Sequence, residues 1–485
     1  MNIKKLLLLF FLFCFSSVSI IAQDAASALN IITQDALLKT DSYLASKKLN
    51  GRLPGSKGYE LAAKYISEEL SKLRLKPISK DGYFQKIKVE YNEILPNEHF
   101  SVIHNGKRTL YELGKDYVYR GFTGSGNFTA PVAFCGYGLS QPDLGYDDYA
   151  GIDVKGKVVL VYKFNPRWNI DGKVFTHGNP REKSIVAMDH GALGILFISF
   201  PNDKEPQKLI GSVFHGEGLQ PQNFPQLHVS LDVADVLYKD SGFSLSQVQK
   251  EIDSSKKPFS FDLKSDVNIS VKTKYTKDAT TENVCGILEG SDPKLKDEFI
   301  IVGAHLDHVG EQAGKIYYPG ANDNASGSSA VLQIARAISS MKIKPKRSIC
   351  FSFFACEEQG LNGSTYFSKN LPGSKDKINA MLNFDCIAYG DSIQVYGGES
   401  FPDLWNTVKS IDENNKKLLV TRTGKGGGAD AQPFFDEGIK TLYFVSTNSY
   451  AHLHQTTDTP ETLNGKLFQD ITQLGFLSVL KFANQ

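Results

Sequence analysis

The run Phe-Ile-Ile-Val-Gly-Ala-His-Leu-Asp-His at residues 299–308 sets the interpretation of the whole chain. Its first six residues, Phe299–Ala304, are apolar or small, as expected for a strand that is buried on both faces. Because His305 follows at once, its side chain is expected at the carboxyl end of this strand. Open α/β sheets bind their ligands at that edge.

Similar apolar segments alternate with helical patterns on either side of this run. Strands are predicted at Ile349–Ala355, Ala380–Asp385, Ile393–Tyr396 and Leu442–Ser446. Helices are predicted after Ala325, near Ser364 and, after a turn-rich stretch, at 59–73. The pattern predicts an α/β fold with a mainly parallel, doubly wound mixed sheet, whose strands are covered by helices on both faces.

The middle of the chain has a different character. Between about residues 127 and 261, short strands such as Pro131–Cys135, Val158–Tyr162 and Leu193–Ser199 are separated by loops rich in Gly, Pro and Asp. Such spacing is typical of β-rich structure. We therefore expect an inserted β-rich domain in the α/β fold.

Composition excludes some classes of protein. The 485 residues predict more than one hydrophobic core. Lysine and arginine total 54 against 53 acidic residues, a formal net charge of +1, so nucleic acid is not an expected partner. Five cysteines lie beyond residue 22, too few and too scattered for a dense disulfide framework. A buried thiol is expected for each, with one bridge, between Cys356 and Cys386, left open.

Residues 1–22 have the pattern of a secretory signal. Lys4 and Lys5 precede an apolar run from Leu6 to Phe15, and small residues lead to Ala22. The apolar run is short for a membrane span, and polar residues follow it, which disfavours a stable membrane anchor. We expect an exported protein, either periplasmic or extracellular.

Several acids and histidines occupy positions where strands are predicted to end. Asp323 lies in the small-residue stretch Gly320–Gly327, where a helix N-cap would be its ordinary role. The remaining candidates follow predicted strands, and they are Glu357, Glu358, Asp385 and His454. Each position has a common explanation alone, but their convergence with His305 on one sheet edge predicts a metal site.

The type and number of these side chains indicate which metal. Imidazole and carboxylate donors without thiolates suit zinc at a catalytic site. Five ligands exceed the three that one catalytic zinc usually takes. Two ions about 3.5–4 Å apart that share one carboxylate would use all five, an arrangement found in aminopeptidases. The sequence therefore predicts two Zn²⁺ per chain.

These motifs resemble the dinuclear zinc exopeptidases, a family that includes bacterial leucyl-type aminopeptidases and glutamate carboxypeptidase. The resemblance covers the helix near residues 51–75 and then 283–485. It rests on motifs that occur in family order: His-Leu-Asp-His, Gly-Ala-Asn-Asp-Asn-Ala-Ser-Gly, Glu-Glu-Gln-Gly-Leu-Asn-Gly-Ser, Asn-Phe-Asp and His-Gln-Thr-Thr-Asp-Thr. It implies the sandwich fold of zinc aminopeptidases and phosphorylases.

The middle segment is similar to the protease-associated domain that several members carry as an insertion. The most recognisable part is Gly-Ile-Asp-Val-Lys-Gly-Lys-Val-Val-Leu-Val at residues 151–161. The resulting division is a signal peptide at 1–22, an N-terminal part of the peptidase domain at 23–115, the insertion at 116–262 and the zinc peptidase domain at 263–485. In the family, such an insertion is expected to roof the cleft and admit only short peptides or chain ends.

The resemblance also implies a role for each ligand. Asp323 would bridge two zincs, His305 and Asp385 would complete one site, and Glu358 and His454 would complete the other. Glu357 would remain free as the general base. The peptide bond between Asp323 and Asn324 is typically cis in this family.

Other matched positions imply supporting roles. Asp307 would orient His305, and Asp430 matches a recurring family acid that could equally order its loop. The family usually has an oxyanion-stabilising tyrosine directly before the last histidine ligand, but this chain has Leu453 there, and Tyr450 is a nearby substitute. The remaining histidines beside the ligands, His308 and His452, are interpreted as supporting or surface residues.

The predicted function is that of an exported, zinc-dependent exopeptidase acting on peptides, most simply an aminopeptidase. A carboxypeptidase is the alternative, because Arg422 and Lys425 could hold a terminal carboxylate. A non-catalytic scaffold is a second alternative, although relatives of that kind lose ligands that are all present here. Relatives of the glutaminyl cyclase kind normally use one zinc, so five retained ligands count against that function.

Overall fold

The computed structural model describes residues 23–176, 178–212, 220–447 and 450–485. The predicted secretory signal, residues 1–22, lies outside the described residues. Among the helices that are described, none is long and apolar enough to cross a membrane.

Ten α-helices are named in chain order. They are α1 (Gln34–Leu44), α2 (Lys57–Lys72), α3 (Pro180–Asp189), α4 (Leu231–Leu237), α5 (Leu245–Ser255), α6 (Ser326–Ser340), α7 (Asn362–Lys369), α8 (Pro402–Glu413), α9 (Gln432–Asp436) and α10 (Gly465–Asn484). Short 3₁₀ segments occur at Lys47–Arg52, Pro142–Leu144, Lys375–Lys377, Ala429–Ala431 and Pro460–Thr462, and one π-helical turn at Ala321–Ala325.

Twenty strands are named in the same way. They are β1 (Lys76–Pro77), β2 (Phe84–Ile94), β3 (His99–His104), β4 (Lys107–Tyr111), β5 (Tyr117–Tyr119), β6 (Gly126–Cys135), β7 (Ser140–Gln141), β8 (Tyr146–Asp147), β9 (Val158–Tyr162), β10 (Gly194–Ile198), β11 (Gln226–Val229), β12 (Ser260–Val271), β13 (Thr273–Leu288), β14 (Phe299–His305), β15 (Glu311–Gln312), β16 (Ile316–Tyr317), β17 (Ser348–Phe354), β18 (Ile378–Phe384), β19 (Ile393–Tyr396) and β20 (Thr441–Ser446).

The larger α/β part is built on an eight-stranded sheet in the order β1-β13-β17-β14-β18-β20-β19, with β2 also paired to β13. Strands β17, β14, β18 and β20 run parallel, whereas β13 and β19 are antiparallel to their neighbours. The expectation of a mainly parallel sheet therefore holds only for the four central strands. The sheet as a whole is mixed, because β13 pairs with β2 as a long antiparallel ribbon.

Both faces of the central strands are covered, as their unbroken apolar sequences indicate. Alternate residues of β14 point to opposite cores: Ile300 and Val302 pack with α1, α2, α6 and α10, and Ile301 packs with α7 and α9. Helix α2 begins after Ser56, whose hydroxyl accepts a hydrogen bond from the backbone N–H of Tyr59 at 3.2 Å. Such a side-chain cap stabilises the first helical turn.

A second eight-stranded sheet has the order β4-β3-β12-β6-β9-β10-β11-β5. Its centre, β6-β9-β10-β11, is parallel, and the flanking pairs are antiparallel. The sheet starts at His99 and ends at Val271, so it extends beyond the interval 116–262 that the sequence indicated. The reason is that β3 and β4 join this sheet by pairing with β12.

The two sheets meet through specific contacts. Gln312, in the α/β part, exchanges two hydrogen bonds with the backbone of Tyr119, at 2.9 and 2.8 Å. Lys315 forms an ion pair with Glu98 at 2.9 Å. These contacts attach the edge strand β5 and the residue before β3 to the segment that follows His308.

The five described cysteines are all free thiols. Cys356 and Cys386, the pair for which a bridge was left open, form no disulfide. Four of the five are buried, in line with the apolar segments that contain them.

Candidate metal centre

The predicted site residues converge on one edge of the α/β sheet. Because β17, β14, β18 and β20 are adjacent and parallel, their carboxyl ends lie side by side. The residues at or beyond these ends are His305 of β14, Glu357 and Glu358 after β17, Asp385 after β18 and His454 beyond β20. Asp323 reaches the same place from the turn before α6.

The first donor group consists of His305, Asp323 and Asp385. Nε2 of His305 lies 3.3 Å from Oδ1 of Asp323 and 3.4 Å from Oδ1 of Asp385. All three side chains are nearly inaccessible to solvent. This Nε2 atom and Oδ1 of Asp385 have no hydrogen-bond partner among the described residues.

The second donor group consists of Asp323, Glu358, His454 and also His308. Nε2 of His454 lies 3.2 Å from Oδ2 of Asp323 and 2.8 Å from Oε2 of Glu358. His308 places Nδ1 2.7 Å from the other oxygen, Oε1, of Glu358. The sequence interpretation left His308 outside the ligand set, but it is fully buried within the cluster.

Asp323 belongs to both groups. Its Oδ1 faces His305, and its Oδ2 faces His454, so one carboxylate contacts both histidines with different oxygens. Buried polar atoms without partners are unusual in proteins, and two donor sets of imidazole and carboxylate suit divalent metals. The residues present therefore fit a pair of metal ions.

The electrostatics of the cluster reflect buried histidines among carboxylates. Burial would lower the pKa of His305, but Asp385 and then Glu357 outweigh it and raise the pKa. Burial likewise opposes charge on Asp323, yet the close approach of His305 and His454 keeps its pKa well below the usual range. Bound divalent cations would compete with these protons for the same donor atoms.

The adjacent residues Glu357 and Glu358 have pKa shifts of opposite direction. The pKa of Glu358 falls to about 2, because the charge of His454 and hydrogen bonds from the histidines outweigh its burial. The pKa of Glu357 is raised well above its usual range by burial and by the neighbouring carboxylates, against the effect of His305. Among the described residues, none donates a hydrogen bond to the Glu357 carboxylate.

Two further aspartates hold segments of the donor groups in place. The Asp307 carboxylate accepts hydrogen bonds from the backbone N–H groups of Glu357 and Glu358, at 3.2 and 3.3 Å. The Asp307 carboxylate lies 3.7 Å from Nδ1 of His305. The backbone oxygen of Asp307 lies closer to that nitrogen, at 3.2 Å. Its carboxylate thus positions the turn that carries the two glutamates.

Asp458 positions the turn that carries Asp323 in a similar way. Its two oxygens accept hydrogen bonds from the backbone N–H groups of Asn322 and Asp323, at 2.8 and 3.2 Å. Asp458 lies in the segment after His454, where the ordinary role of an aspartate would be a local cap. Asp458 instead joins that segment to the Asp323 turn, a contact between residues distant in sequence that no local pattern indicates.

The small residues around Asp323 are explained by close packing. Gly320 has φ of +61°, and a Cβ there would lie 2.4 Å from the backbone oxygen of Asp323 and 2.5 Å from the His308 ring. The side chain of Asn324 donates to the backbone oxygen of Phe384 at 3.0 Å. The peptide bond between Asp323 and Asn324 is cis, as the family resemblance implies.

Arg52 is a residue whose role the sequence interpretation missed. It is fully buried, and its guanidinium donates to four backbone oxygens, at 2.6–2.9 Å. The acceptors are Leu44, Leu306, Pro319 and Gly320. It therefore joins the segment that follows His305 to the segment that precedes Asp323. A charged residue within the turn-rich run 51–56 was the available signal.

Other candidates lie at the margin of the cluster. The Tyr450 ring packs edge-on against Tyr389, with 5.1 Å between centroids, and burial and then Asp458 raise its pKa. Leu453, at the usual tyrosine position, is 45% exposed. His452 contacts the Thr457 hydroxyl at 2.9 Å and belongs to neither donor group.

Asp430, the other acid that matches the family pattern, lies inside the fold. It is fully buried, and its burial raises its pKa to about 7. Its charge contributes to the raised pKa of Glu357, so the two carboxyl groups are neighbours.

The loop that follows β10 of the second sheet also reaches the cluster. The backbone N–H of Gly211 donates to the backbone oxygen of His454 at 2.7 Å. A Cβ at Gly211 would lie 2.6 Å from Val309 and 3.0 Å from Tyr318, so the segment passes directly over the loop after His308.

Comparison with known proteins agrees with this architecture. The model of peptidase family M28 matches residues 283–477. An aminopeptidase of Pseudomonas aeruginosa is 27% identical over 371 residues, covering 74% of this chain and 58% of the relative. Aminopeptidase YwaD of Bacillus subtilis is 25% identical over 415 residues, covering 82% and 73%. The chain thus spans little more than half the length of its Pseudomonas relative.

The fold has counterparts among solved structures. The structure of BSAP, a zinc aminopeptidase from Bacillus subtilis, superposes with a TM-score of 0.65 at 19% identity and covers 93% of this chain and 95% of its own. The mixed α/β architecture is therefore shared with that protein. The match to peptidase family M28 covers residues 283–477, the part of the chain that contains His305, Asp323, Glu358, Asp385 and His454.

Proposed function

We propose that the protein is a zinc-dependent aminopeptidase with two metal sites that share Asp323. The observation that carries the proposal is the division of the Asp323 carboxylate, with Oδ1 towards His305 and Oδ2 towards His454. The aminopeptidases of Pseudomonas aeruginosa and Bacillus subtilis support the reaction, and the zinc aminopeptidase BSAP supports the metal.

The proposed ligands divide as the two donor groups do. His305 and Asp385 would complete one site, and Glu358 and His454 would complete the other. His308 would orient Glu358 through the contact at 2.7 Å rather than bind metal itself. Hydrogen bonds of this kind are common around metal ligands and set their orientation.

Glu357 is the proposed general base. It lies beside the donor groups, its charge acts on His305, and the described residues leave its carboxylate without a hydrogen-bond donor. When bound, the zinc pair would lower the pKa of the attacking water and polarise the scissile carbonyl. A Glu357 oxygen would accept the proton of that water and deliver it to the leaving amine.

The second sheet is proposed to be a protease-associated domain inserted in the peptidase. The segment 151–161 leads into β9 at its centre, and the Gly211 contact with His454 supports a role beside the cleft. A cleft covered on one side would admit chain ends more readily than the middle of a folded chain. Export through the signal at residues 1–22 remains part of this proposal, and cleavage after Ala22 would test it.

The first experiment measures bound zinc in the purified protein together with hydrolysis of aminoacyl and C-terminally free peptides, with and without a chelator. Two zincs per chain and chelator-sensitive release of N-terminal residues are expected. Asp323→Ala should empty both sites, because each donor group loses a member. Retention of one tightly bound ion by that variant would contradict the bridging role, and an inactive, metal-free wild type would contradict the function.

A further inference from the structure

A cavity of about 680 Å³ adjoins the metal centre. Eleven residues line it, namely Gln394, Tyr396, Arg422, Lys425, Gly426, Gly427, Gly428, Tyr443, Val445, Ser446 and Thr447. Its size is in the range of small-ligand pockets. The Tyr443 hydroxyl lies 3.5 Å from Oδ2 of Asp385, so one wall of the cavity touches a proposed metal ligand.

Both charged residues that line this cavity are positive. Arg422 and Lys425 line it, and none of the described residues in its walls is acidic. Neither cation forms an ion pair with a carboxylate in the described part of the chain. A carboxylate that entered the cavity would therefore meet positive charge that no described side chain neutralises.

Arg422 is also held in place. Its Nη2 donates to Oε1 of Gln394 at 2.8 Å, and Gln394 returns a hydrogen bond from Nε2 to the backbone oxygen of Arg422 at 3.4 Å. Gln394 is itself 3% exposed. A guanidinium that rests on a neutral amide keeps its charge and further donors available, and planar forks of this kind match carboxylates.

The glycine run Gly426–Gly428 forms part of the cavity wall and packs closely against its neighbours. Gly427 and Gly428 have φ of +96° and +90°, and a Cβ at Gly426 would lie 2.7 Å from both Phe401 and Phe435. Backbone without side chains thus forms the wall beside Lys425.

We propose that this cavity receives the side chain of the residue being removed and that it selects aspartate or glutamate at the N-terminus of the substrate. The inference rests on the proposed aminopeptidase function. With the scissile carbonyl at the metal centre, the side chain next to it would extend past Tyr443 towards Arg422 and Lys425. A hydrogen bond to a charged group contributes about 1.5–3 kcal/mol, which corresponds to about 10- to 100-fold in kcat/KM.

The test compares p-nitroanilides of Glu, Gln, Asp, Asn, Leu and Lys on the zinc-loaded protein. Glu should exceed Gln, and Asp should exceed Asn, by at least about tenfold in kcat/KM. Arg422→Gln and Lys425→Gln should each lower the Glu/Gln ratio, and Arg422→Glu should shift the preference towards Lys. Lys107→Gln, the same charge change on the exposed strand β4, should leave the ratio unchanged.

Three outcomes would overturn the inference. Equal rates for Glu and Gln, or a preference for Leu, would show that the cavity does not select charge. Cleavage of N-acetylated peptides at a C-terminal Glu, without turnover of free-amine substrates, would assign the cations to a terminal carboxylate. Absence of turnover on every substrate would reject the aminopeptidase function itself, which the pocket variants alone could not do.

Discussion

At the scale of single residues, the proposed chemistry depends on the contrast between Glu357 and Glu358. The two glutamates are adjacent, and both backbone N–H groups donate to Asp307. Glu358 nevertheless contacts His308 and His454 at 2.7 and 2.8 Å, whereas the Glu357 carboxylate has no such donor among the described residues. The Glu358 carboxylate thus contacts two histidines, whereas the Glu357 carboxylate can accept a proton.

Replacement of each glutamate by glutamine should therefore have different effects. Glu357→Gln should retain two zincs per chain and lose about 10²–10⁴-fold in kcat, because an amide cannot accept the proton. Glu358→Gln should lose zinc, because one donor group lacks a charged ligand. Zinc content by atomic absorption, measured alongside turnover, separates the two.

The pair forms its own control, since the substitutions are chemically identical and lie one residue apart. Loss of metal from Glu357→Gln would make Glu357 a ligand rather than a base. Full activity in that variant would remove it from the mechanism.

His308 permits a second comparison at this scale. His308→Gln keeps a side chain that can donate to Glu358 but cannot match the buried ring, so we expect zinc affinity to fall by about 10- to 100-fold, as is usual when a ligand loses its orienting partner. Competition with a chelator of known affinity measures the change. His452→Gln, outside both donor groups, should bind zinc as the wild type does. Complete loss of one ion would instead make His308 a direct ligand.

The sequence could predict which residues meet, but not every contact between them. His305, Glu358 and Asp385 follow apolar strands, so the parallel sheet brings them together without further information. The contact of Asp458 with the Asp323 turn joins segments 135 residues apart. Neither periodicity nor charge pattern encodes such a pairing, so the sequence alone could not predict it.

At the scale of secondary-structure elements, Arg52 connects loops that carry residues of the two donor groups. Its hydrogen bonds link the segment before α2 to Leu306, Pro319 and Gly320. These acceptors flank His308 and the Asp323 turn. Since the acceptors are backbone oxygens, the interaction fixes loop geometry whatever side chains the loops carry.

Arg52→Met should destabilise this part of the protein strongly. It leaves four buried carbonyl groups without the donors that Arg52 supplies, and one unsatisfied buried group costs about 1–3 kcal/mol. We expect at least about 3 kcal/mol less stability, seen as a lower Tm of the zinc-loaded protein. Arg74→Met, at an exposed position after α2, should change Tm little. A normal Tm for Arg52→Met would show that water replaces the lost donors.

The helices and strands of the α/β part were easier to predict than the position along the chain at which the second sheet begins. The helices at α2, α6 and α7 and the strands β14, β17, β18 and β20 lie where apolar patterns indicated them. Strands β3 and β4 have ordinary strand sequences, and only their pairing with β12 assigns them to the second sheet. Their partner lies far later in the chain, so composition alone could not place the start of that sheet at His99.

At the scale of the whole molecule, the second sheet contains buried cations that no acid among the described residues neutralises. Lys163 is 4% exposed and donates to Oε1 of Gln207 at 2.5 Å, and Arg120 is 7% exposed. His228 is 1% exposed, and its Nε2 lies 3.1 Å from the hydroxyl of Ser199. Burial and then the charge of Arg120 lower the pKa of Lys163 to about 6.

This arrangement links the stability of the second sheet to pH. In an unfolded chain, a lysine has a pKa of about 10.4. Between about pH 6 and about pH 10 the unfolded state therefore binds one more proton at Lys163 than the folded state does. The free energy of unfolding should rise with pH in this window by up to about 1.4 kcal/mol per unit, and it should lose this contribution as pH falls towards the folded-state pKa.

Lys163→Met removes the ionisation while it keeps a similar length. We expect the variant to gain stability relative to the wild type at about pH 6.5 and to lose that advantage progressively towards about pH 9. Trp405→Phe in both proteins leaves Trp168, which packs with the second core, as the fluorescent reporter of unfolding. Lys107→Met, exposed on β4, should leave the slope with pH unchanged. Parallel stability curves for Lys163→Met and the wild type would mean that the buried ammonium stays charged, held by Gln207 despite Arg120.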